Sequence, residues 1–370
     1  MELIHSSVPA LPDSHGLSAN GGAAGLVTIA RQRKSELPGG PFPMPVPFRT
    51  LSSTSDETTA MTTHGTFHPG ERMAQVRAGE TDIAARNGAI VTDSVFGGMR
   101  AFIAKQSMVV VGSVDAAGKV WASMLIDRPG FAGTEDGSAV WIDMPATSRD
   151  LVDPLWANLA PGSHVGLLFA DLGARRRYRV NGNVSRVDGY GFEIAVREAF
   201  PNCPRYIQRR QLRLLDDTSI EQPQAAYGKV LRGSVRDIAR LADTLFVASH
   251  NADAGADVSH RGGDIGFVQV VDESTLRIPD FNGNSLFNTV GNFIVDPRAG
   301  LCIPDFDRGR VLQLTGDVSV HWNSTDPSIE TGGTGRYWEF HIGAWILRDA
   351  MRRAEWDYLD ASPFNPPSST

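Results

Sequence analysis

Short apolar runs separated by turn residues fill two stretches of the chain, and the runs come in the same order in both. Residues 94–187 pass from Ser94-Val95 through SMVVVGSVD, a glycine-rich loop, AVWID, a serine-capped segment, VGLLFAD and RRYRVNGNVSRV. Residues 234–320 pass from Ser234-Val235 through TLFVASHNAD, a glycine-rich loop, TLRIPD, a polar-capped segment, AGLCIPDF and GRVLQLTGDVSV. Runs of this length, rich in β-branched residues, predict strands. In the first unit they fall near 108–114, 120–126, 138–143, 164–170 and 176–187; their counterparts fall near 245–248, 265–271, 274–279, 299–304 and 310–320. Ser94 and Ser234 are placed to cap short helices, SVFGGMRAFIAKQ and SVRDIARLA, with the Asp237 carboxylate reaching back in the second. A further helix is expected between the third and fourth strands of each unit, and a lead-in helix within 66–92.

Strand-rich units holding one internal helix favour a small barrel over a βαβ sheet. The expected fold is therefore mainly β, a β-barrel with short helices, built twice. The boundaries read as a first domain over 66–210, a linker over 211–233 and a second domain over 234–360. The two Ser-Val starts lie 140 positions apart, far longer than a solenoid repeat. Two copies of one small domain suggest a pseudo-dimer, with a ligand near the seam.

Residues 1–65 differ from the rest. PGGPFPMPVPF and TLSSTSDETT show no apolar period, so a disordered extension is expected, and Met61 is a second candidate start. The 370 residues hold 41% hydrophobic and 21% charged residues, the balance of a globular protein with two ordinary cores. A formal charge of −7 argues against a nucleic-acid partner, which calls for a basic face. No apolar run approaches a membrane span, and the cytoplasm is the expected compartment. Cys203 and Cys302 are the only cysteines, too few for a disulfide framework or a cysteine-rich metal site. His250 and His260 have no third ligand in view, so no metal is expected.

Candidate chemistry gathers in three places. SHRGGDIG sets His260 and Arg261 before Gly262 and Gly263. Glycines let backbone N–H groups approach an anion and arginine offers a forked donor, although a plain glycine-rich hairpin reads the same way. FNGNSLFNTVGN crowds Asn282, Asn284, Ser285 and Asn288 at a helix start, which either receives an anion or is capped by those side chains. FPNCPRYIQRR puts Cys203, Arg205, Tyr206, Gln208, Arg209 and Arg210 on a turn expected to lead into a helix. The comparable helix start in the first unit, ATSRDL, offers Ser148 and Arg149. No nucleophile elbow, zincin helix or Walker loop is present.

This order of elements resembles the pyridoxamine 5′-phosphate oxidase-like family, the FMN-binding split barrels. The resemblance is carried by RGGDIGFVQVVDESTLRIPDFNGNSLFNTVGNFIVDPRAGLCIPDFDRGRVLQLTG. The first unit is similar in ASMLIDRPGF, TSRD, VGLLF and RVNG, and PNCPRYIQRR is similar to an element of tandem members. It implies two tandem split barrels forming a pseudo-dimer, with FMN held between them. Carried over residue by residue, Arg261, Gly262, Asn284, Ser285 and Asn288 hold the cofactor from the second unit. Ser148 and Arg149 are the matching positions of the first unit, and Arg205 and Gln208 come from the linking turn. Cys203, Tyr206 and His260 are candidates to face the ring or a small-molecule substrate, and no general acid or base is singled out. The C-terminal Trp…Arg element of the vitamin-forming oxidases is missing, so a different small organic substrate is expected. NAD(P)H is the expected electron donor and a homodimer the expected assembly. The alternative is a flavin- or heme-binding split barrel without turnover, or one half kept as a purely structural copy.

Overall fold

Strand for strand, the two units form sheets of the same order. In the computed structural model, which describes residues 66–215, 224–351 and 354–367, the first sheet contains β1 (Met108–Val114), β2 (Val120–Ile126), β3 (Ala132–Gly133), β4 (Ala139–Asp143), β5 (His164–Asp171), β6 (Arg176–Val187) and β7 (Gly191–Asn202). Its order is β2-β1-β5-β6-β7-β4-β3. After β8 (Arg209–Leu214) and β9 (Ala225–Gly228), the second sheet contains β10 (Thr244–Asn251), β11 (Gly255–Gly262), β12 (Gln269–Val270), β13 (Thr275–Pro279), β14 (Arg298–Asp305), β15 (Arg310–His321) and β16 (Tyr337–Arg348). Its order, β11-β10-β14-β15-β16-β13-β12, repeats that of the first, and β9 adds to the edge at β16. A last strand, β17 (Ala354–Asp360), pairs with β8 as a separate ribbon. The helices are α1 (Pro69–Ala78), α2 (Thr81–Gly88), α3 (Gly97–Ala104), α4 (Leu155–Asn158), α5 (Gly233–Leu241) and α6 (Asn288–Val295). The chain is mainly β, and among the described residues no helix is long and apolar enough to cross a membrane.

The continuous apolar runs of the sequence have a packing explanation. Successive strand residues point to opposite faces. In β1 and β5, Val109, Val111, Leu167 and Phe169 enter the core of the first unit. Their neighbours Met108, Val110 and Leu168 enter a second core shared with Phe246, Ala248, Val258 and Cys302 of the other unit. Leu245, Val247, Leu301 and Ile303 fill the core of the second unit in the same way. Both faces are buried, so no polar alternation appears.

The contact between the units is reciprocal. The pairing of β1 with β5 and of β10 with β14 makes Gly166 and Gly300 equivalent. A Cβ at Gly166 would stand 2.9 Å from the Ala256 carbonyl oxygen and from Asp257 Cα. A Cβ at Gly300 would stand 2.7 Å from the Val120 carbonyl oxygen and 2.6 Å from Trp121 Cα, the equivalent positions of the first unit. Backbone meets backbone at both places, which only glycine permits. Gly300→Ala is expected to destabilise by about 1–3 kcal/mol through overpacking, seen as a lower urea midpoint; an unchanged midpoint would mean the units are not held at this contact.

Several local expectations are corrected. The lead-in helix is two helices, separated at Gly79, whose φ is 69°. Neither serine caps: α3 begins at Gly97 after Phe96, and Ser234 lies inside α5, which starts after Arg232. The strand expected at 265–271 is instead β11, with only Gln269–Val270 left as β12. Buried Asp257, Ser259 and His260 interrupt the apolar pattern of β11 and hid it. β7 and β16 were not foreseen. Residues 205–210 turn into β8 rather than a helix, and 211–233 supplies most of β8, all of β9 and the start of α5. The extension expected over residues 1–65 lies outside the described residues.

Candidate anion-binding cleft

An open cleft lies where both units meet, the kind of place where small ligands and cofactors are commonly held. The second unit supplies the end of β11, the loop after β13 and the first turn of α6; the first unit supplies β6 and the turn after β7. Five arginines line it, Arg177, Arg179, Arg205, Arg261 and Arg336, against Glu80 and Asp280. The cleft is therefore basic inside a chain of net negative charge.

Strand alternation puts Arg177 and Arg179 on one face of β6, while Tyr178 between them enters the core. Arg179 donates to Ser259 Oγ at 2.7 Å and to Asn288 Oδ1 at 3.1 Å, and pairs with Asp257 at 2.7 Å. Arg177 donates to the carbonyls of Cys203 and Arg205, which holds the 203–206 turn against β6. Burial pushes the Arg177 guanidinium down to about 9, which leaves it charged at neutral pH. Arg336 bonds Asp280 at 3.0 Å and Glu80 at 3.3 Å, fixing the far wall. The Nε atoms of Arg177, Arg179 and Arg261 have no partner.

The start of α6 completes the donor set. Its first residues Asn288, Thr289 and Val290 line the cleft, and no side chain caps it. Its first N–H groups are thus available to an acceptor and carry the positive end of the helix dipole. Backbone strain gathers here as well. Of the five described non-glycine residues with left-handed φ, Tyr206 (65°), Ser285 (63°) and Phe287 (62°) line this one cleft. Such conformations cost of order 1–3 kcal/mol and cluster at binding sites.

His260 sits at the base, 4% exposed, edge-on to Phe246 with ring centroids 5.5 Å apart. Neither ring nitrogen has a partner. Burial, reinforced by Arg177, Arg261 and Arg210, holds its pKa well below 6.5, so the imidazole is neutral. A histidine depressed in the native state contributes stability that is present above the unfolded value of 6.5 and lost as pH falls below it. The urea midpoint is expected to drop between pH 7.5 and 5.5, and less so in His260→Gln; equal slopes would contradict a neutral His260.

Most residues singled out in the sequence meet in this cleft. Arg261 faces Asp280 at 3.5 Å. Gly262 admits no side chain, since a Cβ would stand 2.1 Å from the Tyr206 carbonyl oxygen. Asn284, Ser285, Arg205, Cys203 and Tyr206 are all in the lining. The Asn288 side chain is committed to Arg179 and Glu71, which leaves its backbone N–H for a ligand. Gln208 is outside the cleft; it bonds the Tyr206 carbonyl, Ser362 and Asn365 and fixes the turn from behind. Ser148 and Arg149 are not brought to the cleft. Arg149 donates to the carbonyls of Met144 and Asp188 and stacks on Trp156 at 4.5 Å. Arg177, Arg179 and Arg336 were not singled out, although the Arg-x-Arg spacing in RRYRV placed two of them on one strand face.

The equivalent place in the first unit is filled. Arg348 pairs with Val311 as Asn202 pairs with Arg177, and Gln313 stands where Arg179 does. Arg348, 1% exposed, bonds Gln313 at 2.7 Å, Asp153 at 2.6 Å and also Asp150. Gln313 in turn donates to Ser123 at 3.0 Å. A buried ion cluster thus occupies the mate of the open cleft.

Like sheets meeting around an arginine-rich cleft make a mainly β protein with a basic site at the seam. Residues 97–213 match the family model for pyridoxamine 5′-phosphate oxidase, and the chain carries a domain of that family. Among solved structures, HupZ of Group A Streptococcus is 11% identical, spanning 36% of this chain and 98% of that one at a TM-score of 0.26. A protein from Clostridium acetobutylicum related to general stress protein 26 of B. subtilis (pyridoxinephosphate oxidase family) is 9% identical, spanning 34% and 92% at 0.25. General Stress Protein 26 from Bacillus anthracis str. Sterne is 11% identical, spanning 34% and 95% at 0.23. No curated protein sequence matches the chain.

Proposed function

We propose that the two units are tandem split barrels forming a pseudo-dimer, and that the cleft between them binds FMN for an oxidoreductase acting on a small organic substrate. The observation that carries this reading is the convergence of five arginines with the uncapped start of α6 in one cleft. Guanidinium forks and free helix N–H groups are the donor set a phosphate monoester requires. The reciprocal Gly166 and Gly300 contacts support the pseudo-dimer.

The residues present fit the cofactor. Arg261, the N–H groups at Asn288 and Thr289, and Ser285 form the phosphate end, and the close approach at Gly262 keeps the strand clear of side chains there. Tyr206 and Phe281, with ring centroids 5.0 Å apart, give an aromatic wall for a planar ring. Bound FMN supplies the redox chemistry; the protein supplies binding, orientation and electrostatics. The buried arginines favour negative charge in the cleft, and neutral His260 can donate or accept a proton-sharing bond. NAD(P)H is the proposed electron donor.

The test is an absorption spectrum of the purified protein, followed by mass spectrometry of what heat releases. A flavin spectrum with released FMN supports the reading. A Soret band would move the assignment to heme, with neutral His260 the first ligand to test. A colourless protein that takes up no added FMN would end the cofactor proposal.

A further inference from the structure

Asn288 lines a second cavity as well as the basic cleft, and that cavity has the opposite character. Glu71, Glu198 and Asp257 face it together with Asn181 and Asn292. Asp257, 3% exposed, uses one carboxylate oxygen for Arg179, and its Oδ2 has no partner. Asn181 donates toward Glu198 and Asp257, and Asn292 donates to Ser249 at 2.9 Å; the Asn181 Oδ1 atom is unpartnered. Two buried acceptors on nearly inaccessible side chains, Asp257 Oδ2 and Asn181 Oδ1, thus lack any donor, while Asn292 has the His68 ring beside it. Buried polar groups are ordinarily paired, so this set points to a missing donor.

We propose that this cavity is a binding site for a primary ammonium group, with Asp257, Asn181 and Asn292 as acceptors and Glu71 and Glu198 supplying countercharge. An ammonium carries three donors and no acceptor, which suits a cavity whose Asp257 and Asn181 oxygens lack donors and whose Asn292 oxygen has only the His68 ring beside it. A metal is disfavoured by the geometry: among the described residues no three His, Cys, Asp or Glu side chains converge to hold one. The site stands apart from the flavin reading and is tested without it.

The carboxyls support the assignment. Burial first, then repulsion from Glu198 and Asp257, pushes Glu71 up to about 8, against hydrogen bonds from the His68 backbone and Asn288. Burial raises Glu198 as well. The other charged or titratable groups around Glu71 are His68 and Arg72 on its own segment, Arg179 and Arg197 from β6 and β7, and Asp93 and Asp253 in the cavity wall. Burial lowers His68, which stays neutral from pH 7 upward. At pH 7 Glu71 therefore holds a proton that a bound cation would expel. An alkylamine keeps its own proton over this range, its pKa lying near about 10.4. Affinity should accordingly rise roughly eightfold from pH 7 to 8.5.

The experiment is calorimetric titration of the full chain with n-butylammonium chloride, with choline and erythritol as comparators and a pH-indicator dye in weakly buffered solution. Expected are saturable 1:1 binding, about one proton released per ligand at pH 7, the rise with pH, and binding of choline and erythritol weaker by at least about tenfold. Glu71→Gln, which keeps an acceptor for the His68 N–H, should remove both the pH dependence and the proton release. Glu198→Gln should weaken binding without touching α1. If Glu71→Gln does not fold, the wild-type pH series and Glu198→Gln decide. Absence of saturable binding at millimolar ligand, choline binding as well as butylammonium, or pH-independent affinity would overturn the proposal.

Discussion

Arg348→Ala is expected to lower the stability of this protein by about 3–5 kcal/mol, more than any surface substitution, because it strands buried carboxylates. Asp153 is 2% exposed and would be left with only Ser123 Oγ, Gln313 and the Leu155 N–H as partners. Gln313 would also lose its donor to Oε1. The contrast is Arg213→Ala: Arg213 pairs with Asp357 and Glu355 but lies in solvent, where such pairs contribute little. Urea unfolding of the two variants should show a large drop in midpoint for the first and no resolved change for the second. Equal effects would mean that the Arg348 cluster is hydrated, not a sealed plug.

Arg261→Ala should weaken FMN binding by about 1.5–3 kcal/mol, a factor of about ten to a hundred and fifty, the range for a charge-assisted guanidinium–phosphate contact. Arg261 pairs only loosely with Asp280 and keeps an unpartnered Nε, so removing it costs little structure. Arg149→Ala serves as the control. Its guanidinium is spent on two backbone carbonyls and a tryptophan face outside the cleft, so FMN affinity should hold while stability falls. Equilibrium dialysis against FMN with each variant separates the outcomes. Loss of affinity in Arg149→Ala with none in Arg261→Ala would move the phosphate to the first unit.

The duplication along the chain was legible because both units bury both faces of their central strands, and that leaves long apolar runs such as MVVV and LFVA; the sheet order was not, since β7 and β16 lie inside it. Strand β11 was not, because its buried residues include Asp257 and Ser259, held by Arg179 and Thr289 far away in sequence, and His260, whose ring nitrogens have no partner. The helix caps failed for a related reason: Ser94 and Ser234 have the right chemistry, but the turns ahead of Gly97 and Gly233 set where the helices start. At the site, glycine, asparagine and arginine clusters in loops could be read directly, which brought out Arg261, Gly262, Asn284 and Ser285. Arg177 and Arg179 sit on a strand whose neighbours are visible only once the sheets are assembled. Ser148 and Arg149 show the limit of repeat symmetry. Two copies can share a fold while Arg348 in one replaces Asn202 in the other, and the long side chain fills what the short one leaves open.

The ribbon of β8 with β17 has a consequence for the order in which the protein can mature. The turn carrying Arg205 and Tyr206 is braced by Ser362 and Asn365, which bond Tyr206 and Gln208 across more than 150 residues of chain. During synthesis the first unit can form its own core as it emerges, since domains fold largely as units. The wall of the cleft cannot close until the polypeptide beyond residue 360 has left the ribosome. A nascent chain stalled before that point would hold two folded sheets and an unfinished site, and ligand capture would have to wait for Ser362 and Asn365 to arrive.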